Sequence, residues 1–314
     1  MLAVDLGGSL TKIAYADPRG WLSSTDRLRT DLAGGSDGLV SWLGGQISRY
    51  VAARPDDLCV GYGVVVPGIV DATAGRVLAA PNVGWYDVPL RDRLAELTGL
   101  PGAVAHDVRS AGLAEWRTGP WSAVSNLLFL PLGTGIAGAM VVDGRMLNGD
   151  GYAGEIGHIR VQAAGELSCA CGQVGCLETV ASASGVARSY RRMTERTDIS
   201  STDGGGPALV DARHVASLAR SGDVAARAAF AIAADALTEA LLLYLTLLGP
   251  ELVLIGGGLS ESADLFVPQV ERALKARVAF QRVPRIATAV LGADAGVMGA
   301  GLVGWDHVRQ SEAV

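Results

Sequence analysis

No block of lysines or arginines occurs anywhere in the 314 residues, and acidic side chains outnumber basic ones 32 to 26, a net charge of −6. A phosphate-backbone footprint needs clustered positive charge, so no nucleic-acid partner is expected. The opening MLAVDLGGS has neither a basic n-region nor a long apolar run before its first acid, so no signal peptide is read and a cytoplasmic protein is expected. The most apolar stretch, Ala225 to Leu248, carries Arg227, Asp235 and Glu239. A bilayer span would hold those charges at high cost, so this stretch is expected as a buried helix and no membrane partner is expected. Also missing are a GxxxxGK[ST] loop and a GxGxxG that follows a strand in a βαβ unit, which argues against a P-loop kinase or a dinucleotide-binding dehydrogenase.

What is abundant is glycine: 42 residues, about 13% of the chain against an average of roughly 7%, with no G-X-Y period to account for it. These glycines belong in specific turns. LAVDLGGSLTKIAYAD reads as strand, Gly-Gly turn and antiparallel strand, and the pattern returns at Asn126–Pro131 and Ile136–Val142 around a second glycine turn. Two related lobes follow from that recurrence. Helices are expected around Leu39–Ala53, Ser110–Trp116, Ala212–Ser221 and Ala225–Leu248, strands at Leu58–Val66 and Leu252–Ile255, and a small-residue helix at the end. Between Arg191 and Pro207 the polar, Gly/Ser/Thr-rich sequence reads as a mobile loop or short linker.

Three glycine turns are candidate phosphate cradles, because residues without Cβ let backbone N–H groups approach phosphate oxygens. The first is Asp5, Gly7, Gly8 and Ser9 with Lys12 on the second strand; there Asp5 could hold a hydrated Mg²⁺. The second is Gly133, Thr134 and Gly135. The third, Gly256, Gly257 and Gly258, closes a strand and is expected to open a helix whose N-terminus favours an anion. A Gly-Gly hairpin turn is also common for structural reasons alone, so it is the threefold occurrence that points to a nucleotide.

Cysteine is scarce but clustered: Cys169, Cys171 and Cys176 fall within eight positions and follow His158, while Cys59 stands alone in an apolar run as a small hydrophobe. One imidazole and three thiolates suit tetrahedral Zn²⁺, and four protein ligands leave no open position, so the metal is expected to be structural.

GYAGEIGHIRV followed by CACGQVGCLET resembles the zinc-containing signature of the ROK family of bacterial sugar kinases and sugar-responsive repressors. DLGGS, VVVPGIVD, APNVGW, the Asp107 segment, LGTGI, LIGGGLS and LGADAGVMGAG resemble the family's landmarks in order, across essentially the whole chain. The resemblance implies an α/β, actin-like ATPase (ribonuclease H-like) fold of two lobes with nucleotide and sugar in an interlobe cleft. It implies ATP with Mg²⁺, a sugar substrate, and a homodimer or tetramer. The lobes are drawn at residues 1–115, with the first hairpin and the catalytic aspartate, and 116–314, with the zinc loop and nucleotide site; the last helix is allowed to pack back on the first lobe. By the same resemblance Asp107 is the base that takes a proton from the attacking sugar hydroxyl. Gly68, Asn82, His106, Asp107, Glu155, His158 and Glu178 then meet the sugar, with His158 placing one ring nitrogen on zinc and the other on a hydroxyl.

The family pattern at the catalytic segment is close to Asn-Asp-Ala-Asn, and this chain has His106-Asp107-Val108-Arg109. Arg109 reads either as a fixed positive charge at the site, suited to a carboxylate or phosphate, or as a surface arginine paired with an acid. The two replacements suggest a substrate other than plain glucose, such as an N-acetylhexosamine or an acidic sugar. A catalytically silent sugar-binding regulator of the same fold is the alternative to a kinase. With the first phosphate strand at the very start, no N-terminal DNA-binding helix-turn-helix is expected.

Overall fold

Each of two compact units is organised by a five-stranded sheet. The computed structural model describes residues 1–54, 59–194, 198–199 and 208–312. Unit 1 holds residues 1–123, 146–153 and those from 290 onward; unit 2 holds 124–145 and 154–289. The boundary expected after residue 115 thus falls after Ala123, and the chain twice returns to unit 1. Buried side chains account for both returns. Within unit 1, Glu115 accepts the N–H groups of Val290 and Leu291 at 3.1 and 2.8 Å, and Arg109 donates to the carbonyls of Gly151 and Ala153 at 3.0 Å each.

In unit 1, strands β1 (Leu2–Leu6) and β2 (Leu10–Tyr15) form the first hairpin, with Asp5 opposite Lys12, and β3 (Asp26–Arg29) extends it. Helix α1 (Gly35–Ala52) leads to β4 (Tyr62–Val66), which runs parallel to β1. A small antiparallel sheet of β5 (Ile69–Asp71), β6 (Arg76–Ala80) and β7 (Trp85–Val88) comes next. Then α2 (Leu90–Thr98) precedes β8 (Gly102–His106), parallel to β4, and α3 (Asp107–Thr118). The sheet order is β3-β2-β1-β4-β8. All five residues of β4, YGVVV, are buried, as a continuous apolar run requires when both faces of a parallel sheet are covered. The strand expected from Leu58 begins at Tyr62, and Leu58 itself lies outside the described residues.

The C-terminal helix, Ala295–Glu312, packs on β1, β4, β8 and α3. Its small residues make that approach possible: a Cβ on Gly63 of β4 would run into the carbonyl oxygen of Ala300. Any larger side chain at Gly63 would push helix and sheet apart.

Unit 2 repeats the build. Strands β9 (Leu127–Pro131), β10 (Ala139–Val142) and β11 (Arg145–Met146) form its antiparallel side. Short helices α4 (Glu178–Ala181) and α5 (Ala183–Thr194) follow, then a two-strand ladder of β12 (Asp198–Ile199) and β13 (Ala208–Leu209). Residues 195–197 and 200–207 of the expected loop lie outside the described residues. Helices α6 (Ala212–Ser221) and α7 (Val224–Leu248) lead to β14 (Leu252–Gly256), then α8 (Val267–Arg277) and β15 (Arg285–Thr288). The order β11-β10-β9-β14-β15, with β14 parallel to both neighbours, mirrors unit 1. Helix α7 is long and apolar enough to cross a membrane, yet half of its most apolar window is buried, and the helix packs on α4, α5, α6 and α8.

Candidate functional site

Parallel strands deliver their C-terminal ends to one edge of a sheet, and loops at that edge are where ligands bind in open α/β sheets. In unit 1 three strands end there: β1 at Leu6, just before Gly7, β4 at Val66, two residues before Gly68, and β8 at His106, just before Asp107. The first hairpin is closed by its own backbone and tied to Thr30. The N–H of Gly7 donates to Leu10 O at 3.0 Å, the N–H of Thr30 to Ser9 O at 3.1 Å, and the Thr30 hydroxyl to Gly7 O at 2.7 Å. Beside Gly8 and exposed Ser9 lies a cavity of about 530 Å³ lined also by residues 29–33. Exposed Asn82 is adjacent, since a Cβ on Gly8 would sit 3.5 Å from its carbonyl oxygen.

Lys12 does not reach outward. Its Nζ lies 3.4 Å from Asp5 Oδ2 and donates to the carbonyl of Ala293. Burial pushes the Asp5 carboxyl above the usual carboxylate range, and Lys12 pulls it back. Gly296, in the first turn of the C-terminal helix, has no Cβ to fill the space: one would stand 2.6 Å from Asp5 Oδ2. The carboxylate of Asp5 is a donor of the kind taken by a magnesium ion that keeps most of its waters.

Gly68 has φ +98°, and a Cβ there would run into Ala79 O of β6. Its glycine is therefore demanded by backbone geometry and close packing, whatever it also does for a ligand.

Asp107 is the first residue of α3, one turn earlier than the expected helix start, and its side chain is 33% exposed. His106 is the helix N-cap: its Nδ1 accepts the backbone N–H of Arg109 at 3.2 Å. Arg109 is not the surface residue that one reading expected. It is buried, and its guanidinium donates to Gly151 O, Ala153 O and, at 3.3 Å, Val70 O. Those three carbonyls lie about 40 residues away in sequence, so nothing local signals them.

In unit 2 the second and third glycine turns come together. Leu132 donates its N–H to Gly256 O at 2.9 Å and accepts the N–H of Leu259 at 3.0 Å. Across the hairpin of Gly133, Thr134 and Gly135, the N–H of Ile136 donates to Glu178 Oε2 at 2.8 Å, and a Cβ on Gly135 would stand 2.6 Å from that oxygen. One oxygen of Glu178 is thus committed to the hairpin. The third turn opens a 3-10 helix, Gly258–Leu265, in place of the expected ordinary helix; α8 begins only at Val267.

His158, Cys169, Cys171 and Cys176 present ligand atoms all within 4.8 Å of one another. Cys169 Sγ is 3.7 Å from His158 Nδ1, and Cys171 Sγ is 3.7 Å from Cys176 Sγ. A tetrahedron with zinc–sulfur bonds near 2.3 Å has edges of about 3.8 Å, so the four residues fit zinc. His158 Nε2 faces the other way, 3.9 Å from Glu155 Oε2. Cys59 stands apart, partly buried against the core of unit 1.

Two functional supports were not foreseen from sequence: the Arg109 tether and Glu115, whose fully buried carboxylate holds the turn before the C-terminal helix. A carboxylate among the apolar residues of AGLAEW was the one available signal for the second.

Comparison with known proteins agrees with this arrangement. The family model described as "ROK family" matches residues 1–304. A glucokinase from Halalkalibacterium halodurans is 35% identical over 99% of this chain and 95% of its own length. The crystal structure of a ROK hexokinase from Thermus thermophilus superposes with a TM-score of 0.81 at 27% identity, covering 99% of both chains. A ROK family glucokinase from Streptomyces griseus, in complex with glucose and AMPPNP, gives 0.78 at 28% identity over 98% of this chain and 99% of that one. With these neighbours the fold is that of the actin-like ATPases, and the chain belongs to the ROK family.

Proposed function

We propose that this chain transfers the γ-phosphoryl group of ATP to a hydroxyl of a neutral hexose of the glucose type. The observation that carries the reading is the position of Asp107: a part-exposed carboxylate at the end of β8, on the same sheet edge as the glycine hairpin that follows β1. Glucokinases among its relatives, at 35% and 32% identity over nearly the full length, support the same activity.

In this reading Asp107 accepts the proton of the sugar hydroxyl as its oxygen attacks the γ-phosphorus; ADP leaves, and the proton stays on the carboxylate until product release. Backbone amides of Gly8 and Ser9, and of Thr134 and Gly135, meet the phosphates, with the N–H groups of Gly7 and Gly133 closing the two turns, while Gly256, Gly257 and Gly258 border the nucleotide. Asp5, beside Lys12, would hold the hydrated Mg²⁺, which would supply charge neutralisation at the phosphates. Asn82, Glu155, His158 and the second oxygen of Glu178 bind sugar hydroxyls, and Gly68 lets the ring come close. Held by four protein ligands, zinc supplies rigidity to the segment that carries His158. A neutral substrate is supported by Arg109, whose buried guanidinium is bonded to three backbone carbonyls. A homodimer belongs to the same proposal, and exposed Leu243, Leu247 and Phe280 give unit 2 an apolar surface for it.

The test is Asp107→Ala in a coupled ADP-release assay with Mg-ATP and glucose. A loss of about 10³ in kcat with zinc content and fold unchanged is expected from removal of a general base. Activity retained within tenfold would remove Asp107 from that role.

A further inference from the structure

His106 stands where the sequence comparison expects a sugar-binding amide, but the structure turns it inward. The residue ends β8 opposite Val66 of β4 and is 6% exposed. Because Nδ1 accepts the N–H of Arg109, it carries no proton, and the ring proton of the neutral imidazole sits on Nε2. Nε2 lies 3.3 Å from Asp107 Oδ1. The N–H of Val108 donates to the same oxygen at 2.7 Å.

We infer that His106 is a positioning residue for Asp107: as a fixed Nε2–H tautomer it holds the carboxylate's orientation and favours its ionised form, in place of contacting the sugar. The inference rests on Asp107 being the base of the proposed kinase reaction. The Val108 N–H thus donates to Oδ1, and His106 Nε2 stands beside the same oxygen. One histidine thereby does two jobs on adjacent residues, capping α3 through Nδ1 and orienting its first side chain through Nε2.

The surroundings keep the ring neutral. Burial, together with the positive charge of Arg109, pushes the His106 pKa down to about 3. The other charged groups near it are Asp107 and, across a cavity of about 220 Å³, Arg117 and Asp306, which pair with each other at 2.6 Å. A charged imidazolium would bind the base in a closed ion pair; a neutral N–H donor leaves the carboxylate basic enough to accept a proton.

Two variants and one spectroscopic measurement test this. His106→Ala should lower kcat about tenfold while the KM for glucose stays within about twofold, and should move the acidic limb of the kcat/KM profile up by roughly half a pH unit or more. His106→Asn, whose amide can accept from Arg109 and donate to Asp107, should recover most of both losses. A rise of about tenfold in KM for glucose with the acidic limb unmoved would make His106 a sugar contact and overturn the inference. Independently of turnover, ¹⁵N NMR of the wild-type imidazoles should show the neutral Nε2–H form of His106 from pH 5 to pH 8. A ring that titrates near 6.5, or carries its proton on Nδ1, would overturn it. Wild-type protein that turns over no sugar would refute the kinase reading instead, and the NMR result would still decide the tautomer.

Discussion

Arg109 illustrates how a single residue changes meaning between sequence and structure. Beside a catalytic aspartate, a planar cation looks like a specificity determinant; in the fold it joins α3 to the carbonyls of Val70, Gly151 and Ala153. Removing it leaves buried acceptors unpaired, each costing on the order of 1 kcal/mol or more. We expect Arg109→Leu to lower the unfolding free energy by about 3 kcal/mol in denaturant titration; a loss under about 0.5 kcal/mol would mean that water replaces the guanidinium without penalty. His106 makes a second prediction at this scale. Its folded pKa, about 3, lies below the unfolded value near 6.5, so the unfolded chain binds the extra proton between those values. Its contribution to stability is present above pH 6.5 and is lost as pH falls towards 3. The Tm of wild type should therefore fall more steeply over that window than the Tm of His106→Asn, and identical slopes would contradict a buried neutral ring.

Whole elements were legible where their end signals are local. Helix α6 runs over Ala212–Ser221 as expected, because Asp211 caps His214 N–H at 2.8 Å and Gly222 closes the other end with φ +101°. Strand β14 is an apolar run bounded by a proline and a glycine turn, and it too lies where it was expected, extended by one residue. Ile136–Val142 was less legible: only Ala139–Val142 is strand, since Ile136 is tied to Glu178 and Gly138 donates its N–H to Gly154 O at 2.7 Å. Those partners are set by tertiary packing, which no local pattern encodes. The cluster that could hold zinc is the opposite case, because Cys169, Cys171 and Cys176 fall within eight residues and only His158 is brought from further away. Cys171→Ser should reduce bound zinc from about one per chain to near zero by elemental analysis and lower Tm. Full zinc content in that variant would show that the thiolate is not a ligand. Since Cys176 lies two residues before Glu178, which accepts the Ile136 N–H of the second hairpin, the KM for ATP should rise along with that for sugar.

At the scale of the molecule, the recurrence of DLGGS and PLGTG in the sequence corresponds to two sheets of the same order, each with an antiparallel hairpin on one side and parallel strands on the other. That recurrence was readable because glycine turns between apolar strands leave a local signature. The division into units was not, because the returns to unit 1 at residues 146 and 290 depend on Arg109 and Glu115 finding partners far along the chain. The candidate site follows the same rule: its glycines, its aspartates and its candidate metal ligands stand out in the sequence, while the residues packed against them do not. The central claim is a kinase acting on a neutral hexose, with Asp107 as base and Arg109 withdrawn from substrate recognition. Its most direct test is ADP release from Mg-ATP across hexoses, N-acetylhexosamines, ketoses and sugar acids. The account predicts the highest kcat/KM for a neutral hexose, with sugar acids lower by at least about 100-fold, as expected where Arg109 is bonded to backbone carbonyls instead of pairing a carboxylate. A sugar acid as the best substrate, or no turnover on any sugar, would contradict it.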